Sequence, residues 1–353
     1  MTYADAADRP APRDRPWLLF ALLVATFFGL SGGAVLLPHD PYVRYQQLAE
    51  TIHYRTVWGY ERLAFDKTPI DIAVIGNSRL QAGVSGPLLQ DELSRRLGRP
   101  VHVANLSLPQ EGRNAHFVVA KRLFLTHPEV KLVILSAIEQ MPREGHPAFR
   151  NTADTADVVA APLLGNTQYF SDLAYLPYRQ MALFVQTLFP QAFGETRRFD
   201  RSRYLGERYD TTLSFTSPTG NHVDRDAVHS AAELLPPARE RVEGITPPLL
   251  PAHPDIEFAV ERAYTGQIAR LASANGTRVA YLYLPIYHYP LPLQDKDFYE
   301  GKGAVIEAPF LAANHRNYSD YGHLNRIGST RLTQWLAGLL AEDGAIAIPR
   351  GRN

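Results

Sequence analysis

Ile70-Asp-Ile-Ala-Val-Ile75 runs directly into Gly76-Asn77-Ser78-Arg79. A short apolar run bounded by turn residues is the pattern of a parallel strand buried on both faces. Working outward, Leu88–Leu97 has helical periodicity and stops at Gly98. Val101–Leu106 reads as a second strand. Asn114–Leu125 is a second helix, stopped near Pro128, and Val130–Leu135 (VKLVIL) is a third strand. The rhythm returns late. A helix is expected over Asp255–Ala274, ending at Asn275-Gly276. A strand follows over Arg278–Leu284, closed by Pro285, and then an amphipathic helix over Arg326–Ala341. Strands alternating with helices at this spacing predict an α/β fold with a central parallel sheet and right-handed crossovers.

Between about residues 143 and 254 the alternation fails. This stretch holds Tyr175–Phe193, read as helical with a break at Pro177. It also holds the Arg- and Tyr-rich segment Arg197–Tyr209 and the Pro-rich run Pro236–Pro254. A loop this long inside a domain is usually functional or disordered, so it is read as an insertion forming a cap or lid.

Towards the N-terminus, Trp17–Leu37 (WLLFALLVATFFGLSGGAVLL) contains no charged residue. At about 1.5 Å rise per residue this run spans the roughly 30 Å hydrocarbon core of a bilayer. A cleavable signal peptide usually has a shorter apolar core, so an uncleaved anchor is expected. Arg9, Arg13 and Arg15 precede it, which keeps the tail cytoplasmic and puts everything after Pro38 outside. The expected organisation is a tail over 1–16, a transmembrane anchor over 17–37, and a linker over 38–68 with Tyr42–Phe65 helical. The folded domain follows over 69–353.

The chain has 353 residues, a formal net charge of zero, 45% hydrophobic and 20% charged residues, and no cysteine. That profile excludes a disordered chain. The neutral balance argues against a nucleic-acid binder, which needs a basic face. Without cysteine there are no disulfides, thiolate metal sites or cysteine nucleophiles. His102, His116 and His146 show no metal spacing, and no phosphate-binding glycine loop or acidic metal cluster is visible, so no metal or cofactor is expected.

Two motifs carry chemistry. Sites in open parallel sheets form outside the carboxyl ends of the strands, and Ser78 follows the first strand on a turn. Asp320-Tyr-Gly-His323-Leu-Asn325 precedes the last helix. A serine nucleophile needs a base within hydrogen-bond reach and a third group to orient that base. His323 and Asp320 supply both types. The competing reading is a helix N-cap, by Asp320 or Asn325, with His323 incidental.

Taken together, the Gly-x-Ser block and the late Asp-x-x-His-Leu resemble the SGNH (GDSL-type) hydrolase superfamily over Asp71–Val133 and Val279–Leu340. The closest likeness is to its membrane-anchored DltD-like and alginate-acetylation-type members. The resemblance implies a three-layer α/β/α sandwich of flavodoxin-like type, with Ser78, Asp320 and His323 as catalytic triad. It also implies an oxyanion hole made by the N–H groups of Ser78 and Gly112. Two departures stand out. Asn77 occupies the place of the block's Asp. The third block, which usually supplies an asparagine, reads Leu135-Ser-Ala-Ile-Glu139-Gln140-Met-Pro142, leaving Gln140 or Asn114 as substitute amide donors. Tyr287 and His288, after the Arg278–Leu284 strand, are candidates for stacking on sugar rings. Arg79 is a candidate for an anionic group or an acid partner. Arg197, Arg198, Arg201, Arg203 and Arg208 suit either an acidic polymer or a solvated, salt-bridged segment.

The expected function is O-acyl transfer to a surface polysaccharide or envelope glycan, beside a membrane-bound acyltransferase partner that supplies acyl groups. An esterase of the same fold, or a non-catalytic polysaccharide-binding or export-complex scaffold, is the alternative.

Overall fold

A computed structural model describes residues 16–342. The basic tail with Arg9, Arg13 and Arg15, and residues 343–353, lie outside the described residues. The first helix, α1 (Pro16–Val35), is apolar and nearly all exposed. Among the described residues it is the one helix long and apolar enough to cross a membrane, with a mean hydropathy of 2.1. Two short helices follow, α2 (Pro41–Gln46) and α3 (Arg55–Ala64).

Next come β1 (Ile72–Ile75), α4 (Ser78–Gly83), α5 (Gly86–Leu97), β2 (Val103–Asn105), α6 (Arg113–Thr126) and β3 (Leu132–Ala137). The long connection after β3 carries α7 (Phe149–Thr152), α8 (Thr155–Val159), α9 (Tyr169–Leu188), a small ribbon of β4 (Phe215–Thr216) and β5 (His222–Val223), α10 (Ala231–Glu243) and α11 (Pro254–Glu257). The chain closes with α12 (Ala259–Ala274), β6 (Arg278–Tyr283), α13 (Lys296–Glu300), β7 (Ala304–Glu307) and α14 (Arg326–Ala341).

Five strands form one parallel sheet in the order β2-β1-β3-β6-β7. Every residue of β1 and β3 is buried, which is why these strands read as unbroken apolar runs rather than as alternation. Successive side chains enter two different cores. Ala73, Ile75, Val133 and Leu135 join one with Phe117 and Tyr264; Ile72, Val74, Leu132 and Ile134 join the other with Leu89 and Leu332. From β1 the chain goes to β2 on one side and then to β3 on the other. The connections leaving β1 and β3 therefore diverge and open a crevice at their carboxyl ends.

The first of these cores carries a buried ion pair. Arg113 of α6 donates to Glu261 of α12 through Nε (2.9 Å) and Nη2 (2.7 Å), and to the Ser136 carbonyl of β3 (2.6 Å). Tyr299 of α13 donates to the same carboxylate at 3.0 Å. Both charged side chains are 3% exposed, so two helices are registered on the sheet by one desolvated charge pair.

Several local expectations are corrected. Tyr42–Phe65 is two helices, not one. The break at 47–54 is made by Thr51, whose Oγ1 donates to the Leu48 carbonyl and accepts from the His53 N–H, a local bond that competes with helix. Pro177 does not break its helix: α9 runs through it, held by buried Leu176, Arg179 and Leu183. The Pro-rich run begins inside a helix. Ser230 and Glu233 form a reciprocal capping box for α10, and buried Leu234 and Ala238 carry it across Pro236 and Pro237. Asp255–Ala274 is interrupted at Phe258. The edge strand β7 was not foreseen.

Glu261→Gln removes the counter-charge of a buried arginine. Breaking such a pair costs about 3–5 kcal/mol, and the loss is expected as a lowered urea midpoint with unchanged cooperativity.

Candidate active site

Gly76 lets the chain leave β1. A Cβ there would lie 2.7 Å from Ser136 Cβ and 2.9 Å from Leu80 Cδ2, so a side chain would separate β1 from β3. Asn77 then caps α4, its Oδ1 accepting from the N–H groups of Arg79 (3.0 Å) and Leu80 (3.2 Å). Ser78 is the first residue of that helix. First-turn N–H groups have no intrahelical partner, and Asn77 takes those of Arg79 and Leu80 but not that of Ser78.

The second half of the site is a tight loop. Tyr318 and Leu324 form an antiparallel bridge, and Ser319 N–H bonds the His323 carbonyl at 2.9 Å. Inside it, Asp320 Oδ1 accepts from the N–H groups of Gly322 and His323, both at 2.8 Å. The same carboxylate meets the His323 ring, with Nδ1 at 2.8 Å from Oδ2 and 3.0 Å from Oδ1. With Nδ1–H donated to Asp320, Nε2 is left as acceptor. Ser78 Oγ lies 2.7 Å from Nε2 and donates to it. The three residues thus form one continuous hydrogen-bonded chain across 245 positions of sequence.

Asp320 does two jobs. Its burial opposes ionisation, but the bonds from His323, Gly322 N–H and His323 N–H outweigh this and hold the carboxyl at about 2. It stays an anion where the imidazole needs one. The helix cap is a different residue: Asn325 accepts from Gly328 N–H at 3.0 Å and donates to the carbonyls of Ala227, Arg316 and Tyr318.

Arg79 points at an acid of its own chain. Its guanidinium grips Glu139 with two bonds, Nη1–Oε2 at 2.6 Å and Nη2–Oε1 at 3.0 Å. Glu139 also receives Arg241 from α10, at 2.8 Å and 2.9 Å. Burial pushes Glu139 up; Arg79 first, and Arg241 after it, pull it below the ordinary carboxylate range. Glu139 stands just after β3, and sequence reasoning missed its role. The signal was present: an acid after β3, on the same sheet edge as the arginine after Ser78.

The remaining expected residues separate. Gly112 adopts φ 142°, and a Cβ there would lie 2.1 Å from the His146 nitrogen, so only glycine fits. Its loop lies along the serine turn: Leu108 N–H bonds the Gly76 carbonyl at 2.8 Å, and Asn77 Nδ2 donates to Glu111 Oε1. Asn114 is otherwise engaged, its Oδ1 accepting from His146 N–H (2.7 Å) and Ala115 N–H (3.0 Å). Gln140 donates to the Thr246 carbonyl at 3.0 Å. Neither amide bonds to Ser78, Asp320 or His323. Tyr287 is corrected as a stacking platform. It is 5% exposed and packs on Tyr318 with ring centroids 5.7 Å apart, so no face is open to a ligand. His288 is exposed, with φ 66°.

The connection after β3 reaches this edge of the sheet. Asp210 accepts from Ser85 Oγ at 2.6 Å, Thr211 bonds the Gln81 carbonyl, and buried Arg225 donates to Ser319 Oγ at 3.1 Å.

No protein-family model matches this chain, and no curated protein matches it.

Glu111 gives a pH prediction. Burial raises its carboxyl to about 7, against the opposing pull of the Asn77 bond and of Arg79. A carboxyl raised on folding favours the fold at low pH. That advantage is lost as pH rises from the unfolded value through about 7. Stability should therefore fall between pH 5 and pH 8, and Glu111→Gln should flatten that slope in thermal melts. A tenfold change in proton affinity is about 1.4 kcal/mol, so the change at pH 8 is up to about 3 kcal/mol.

Proposed function

We propose that this chain is a membrane-anchored, extracytoplasmic SGNH-type O-acyltransferase acting on a cell-surface polysaccharide or envelope glycan. The observation that carries the reading is the Ser78–His323–Asp320 hydrogen-bonded chain at the carboxyl edge of a parallel sheet. In this reading the domain is the three-layer α/β/α sandwich of that superfamily. α1 is a single membrane span with its N-terminus in the cytoplasm, as Arg9, Arg13 and Arg15 favour.

Ser78 Oγ attacks an ester carbonyl while its proton passes to His323 Nε2. Asp320 holds the resulting imidazolium by charge and by the Nδ1–H bond. The oxyanion of the tetrahedral intermediate sits against the Ser78 N–H at the start of α4, with the Gly112 N–H as second donor. Such donors are each worth about 3 kcal/mol of transition-state stabilisation. As the intermediate collapses, His323 returns the proton to the leaving alcohol and an acyl-serine remains. A sugar hydroxyl then attacks the acyl carbon, giving its proton to His323, and Ser78 is released as the acyl group moves to the sugar.

Water in place of the sugar hydroxyl would make the same site an esterase. Anchoring favours transfer, because a transferase must meet an acyl donor delivered at the membrane, by a membrane-bound acyltransferase partner in this reading.

The test is the intact mass of the full chain in detergent after brief exposure to an activated acetyl ester. The expected result is one acetyl adduct on the wild type and none on Ser78→Ala. Asp320→Asn should slow acetylation by roughly 10²–10⁴-fold. Decay of the adduct only when a glycan is added identifies the transferase, and decay in buffer alone the esterase. A folded chain with neither adduct nor ester turnover would establish the non-catalytic scaffold instead.

A further inference from the structure

α9 has its polarity turned inside out. Its 20 residues include two charged side chains, Asp172 and Arg179, and both are buried. Arg179 donates to the carbonyls of Arg150 (2.6 Å) and Ala153 (3.0 Å). Phe170, Ala174, Tyr178, Met181, Val185 and Leu188 recur at steps of four, four, three, four and three, and all are exposed. That period is one stripe along the helix. Phe170 is 70% exposed, Tyr178 62% and Leu188 54%. A soluble helix carries charge on such a face; this one carries none.

A different face of the same helix is bonded to the end of the apolar α1. Gln180 Nε2 donates to the carbonyls of Val35 (3.2 Å) and Leu37 (3.4 Å) at the end of α1, and Thr187 Oγ1 accepts from Asp40 N–H at 2.9 Å. Just past α9 lies the basic segment that the sequence offered to an acidic polymer. Arg197 reaches Asp40 at 3.6 Å, and Arg198, Arg201 and Arg203 are exposed beside it. An apolar stripe followed by exposed arginines matches the two layers of a bilayer surface, acyl chains and anionic headgroups.

We propose that α9 docks on the lipid bilayer through its Phe170–Leu188 stripe, with the 197–203 arginines among the headgroups, so that the domain is held against the membrane rather than tethered above it. This rests on reading α1 as a membrane span and is independent of the catalytic assignment.

The chain has no cysteine, so single labels are clean. Nitroxides are placed on Met181→Cys and Val185→Cys, on Leu23→Cys within α1, and on Arg95→Cys of α5, an exposed position on the helix layer of the other core. The full chain is reconstituted in nanodiscs of phosphatidylcholine and phosphatidylglycerol, with thermal melts matched to the unlabelled chain. Collision accessibility to oxygen is compared with that to a water-soluble nickel chelate. The oxygen-to-nickel ratio is expected to be several-fold higher at 181 and 185 than at 95, in the sense found at 23. Ratios at 181 and 185 equal to that at 95, with 23 in lipid, overturn the docking and leave the anchor standing. Labels at 181 and 185 shielded from both reagents mean that protein covers the stripe, which also overturns it. An aqueous ratio at 23 removes the anchor, and the docking with it.

Discussion

Glu139 has no exposed side-chain surface, and it lies between Arg79, at 2.6 Å and 3.0 Å, and Arg241, at 2.8 Å and 2.9 Å. A carboxylate taken out of water is tolerated only when its charge and its lone pairs are both met. Here one acid meets two guanidinium groups from distant parts of the sequence. Arg79 belongs to the helix that begins with Ser78. Arg241 belongs to α10, inside the connection that follows β3. The pairing therefore fixes three things against each other: the serine turn, the exit of β3, and the far end of the long connection. Its desolvation makes the Arg79–Glu139 pair unforgiving, since removing either of these two leaves the other charged and largely out of water. A buried pair of this kind is weak evidence of net stabilisation, yet breaking it is costly.

That clamp works because of the sheet order. β1 lies between β2 and β3, so the segments after β1 and β3 leave in different directions and a gap opens above them. Ser78 enters the gap from β1 and Glu139 from β3. The Asp320–His323 loop comes from the connection beyond β7, and Tyr287 N–H ties it to the end of β6 through the Tyr321 carbonyl at 2.8 Å. His323 is thus positioned twice, by Asp320 through the ring and by its own backbone, while Tyr318 and Tyr287 pack beneath as core. The burial of Tyr287 is the structural counterpart of a well-supported histidine loop.

Much of this was legible in the sequence, and the misses share a cause. β1 and β3 were readable because burial on both faces leaves an apolar run, and β6 because its last four residues are buried and apolar or aromatic. β7 was not, because Ala304 is exposed and Val305 half-buried at the sheet edge, so its pattern is weak. The Ser78, Asp320 and His323 positions followed from strand ends and a loop entering a helix, both local signals. Glu139 as the partner of Arg79, 60 residues away, followed from nothing local. Helix boundaries failed where a single side chain overrode the pattern, as Thr51 does by bonding its own backbone. They failed in the opposite sense where packing overrode proline, as in α9 and α10. Propensity is a weak prior against burial, and Leu176, Leu183, Leu234 and Ala238 are all buried.

The 143–254 connection touches both the end of α1 and the helix that begins with Ser78. At one point it supplies Gln180 to the end of α1 and Thr187 to Asp40 at the start of α2, and at others it supplies Asp210, Arg225 and Arg241 to the neighbourhood of Ser78 and Asp320. It therefore cannot move far without straining either the contacts with α1 or those near Ser78 and Asp320. A loop of this length would normally be free to open and close over a sheet edge. Here Arg179 ties α9 to the first part of the same connection through the Arg150 and Ala153 carbonyls, and half-buried Arg241 pins its far part on Glu139. The physical role of the insertion is then closer to a strut than to a lid. It couples the orientation of the serine crevice to the base of the apolar helix, so where α1 sits constrains where the crevice faces.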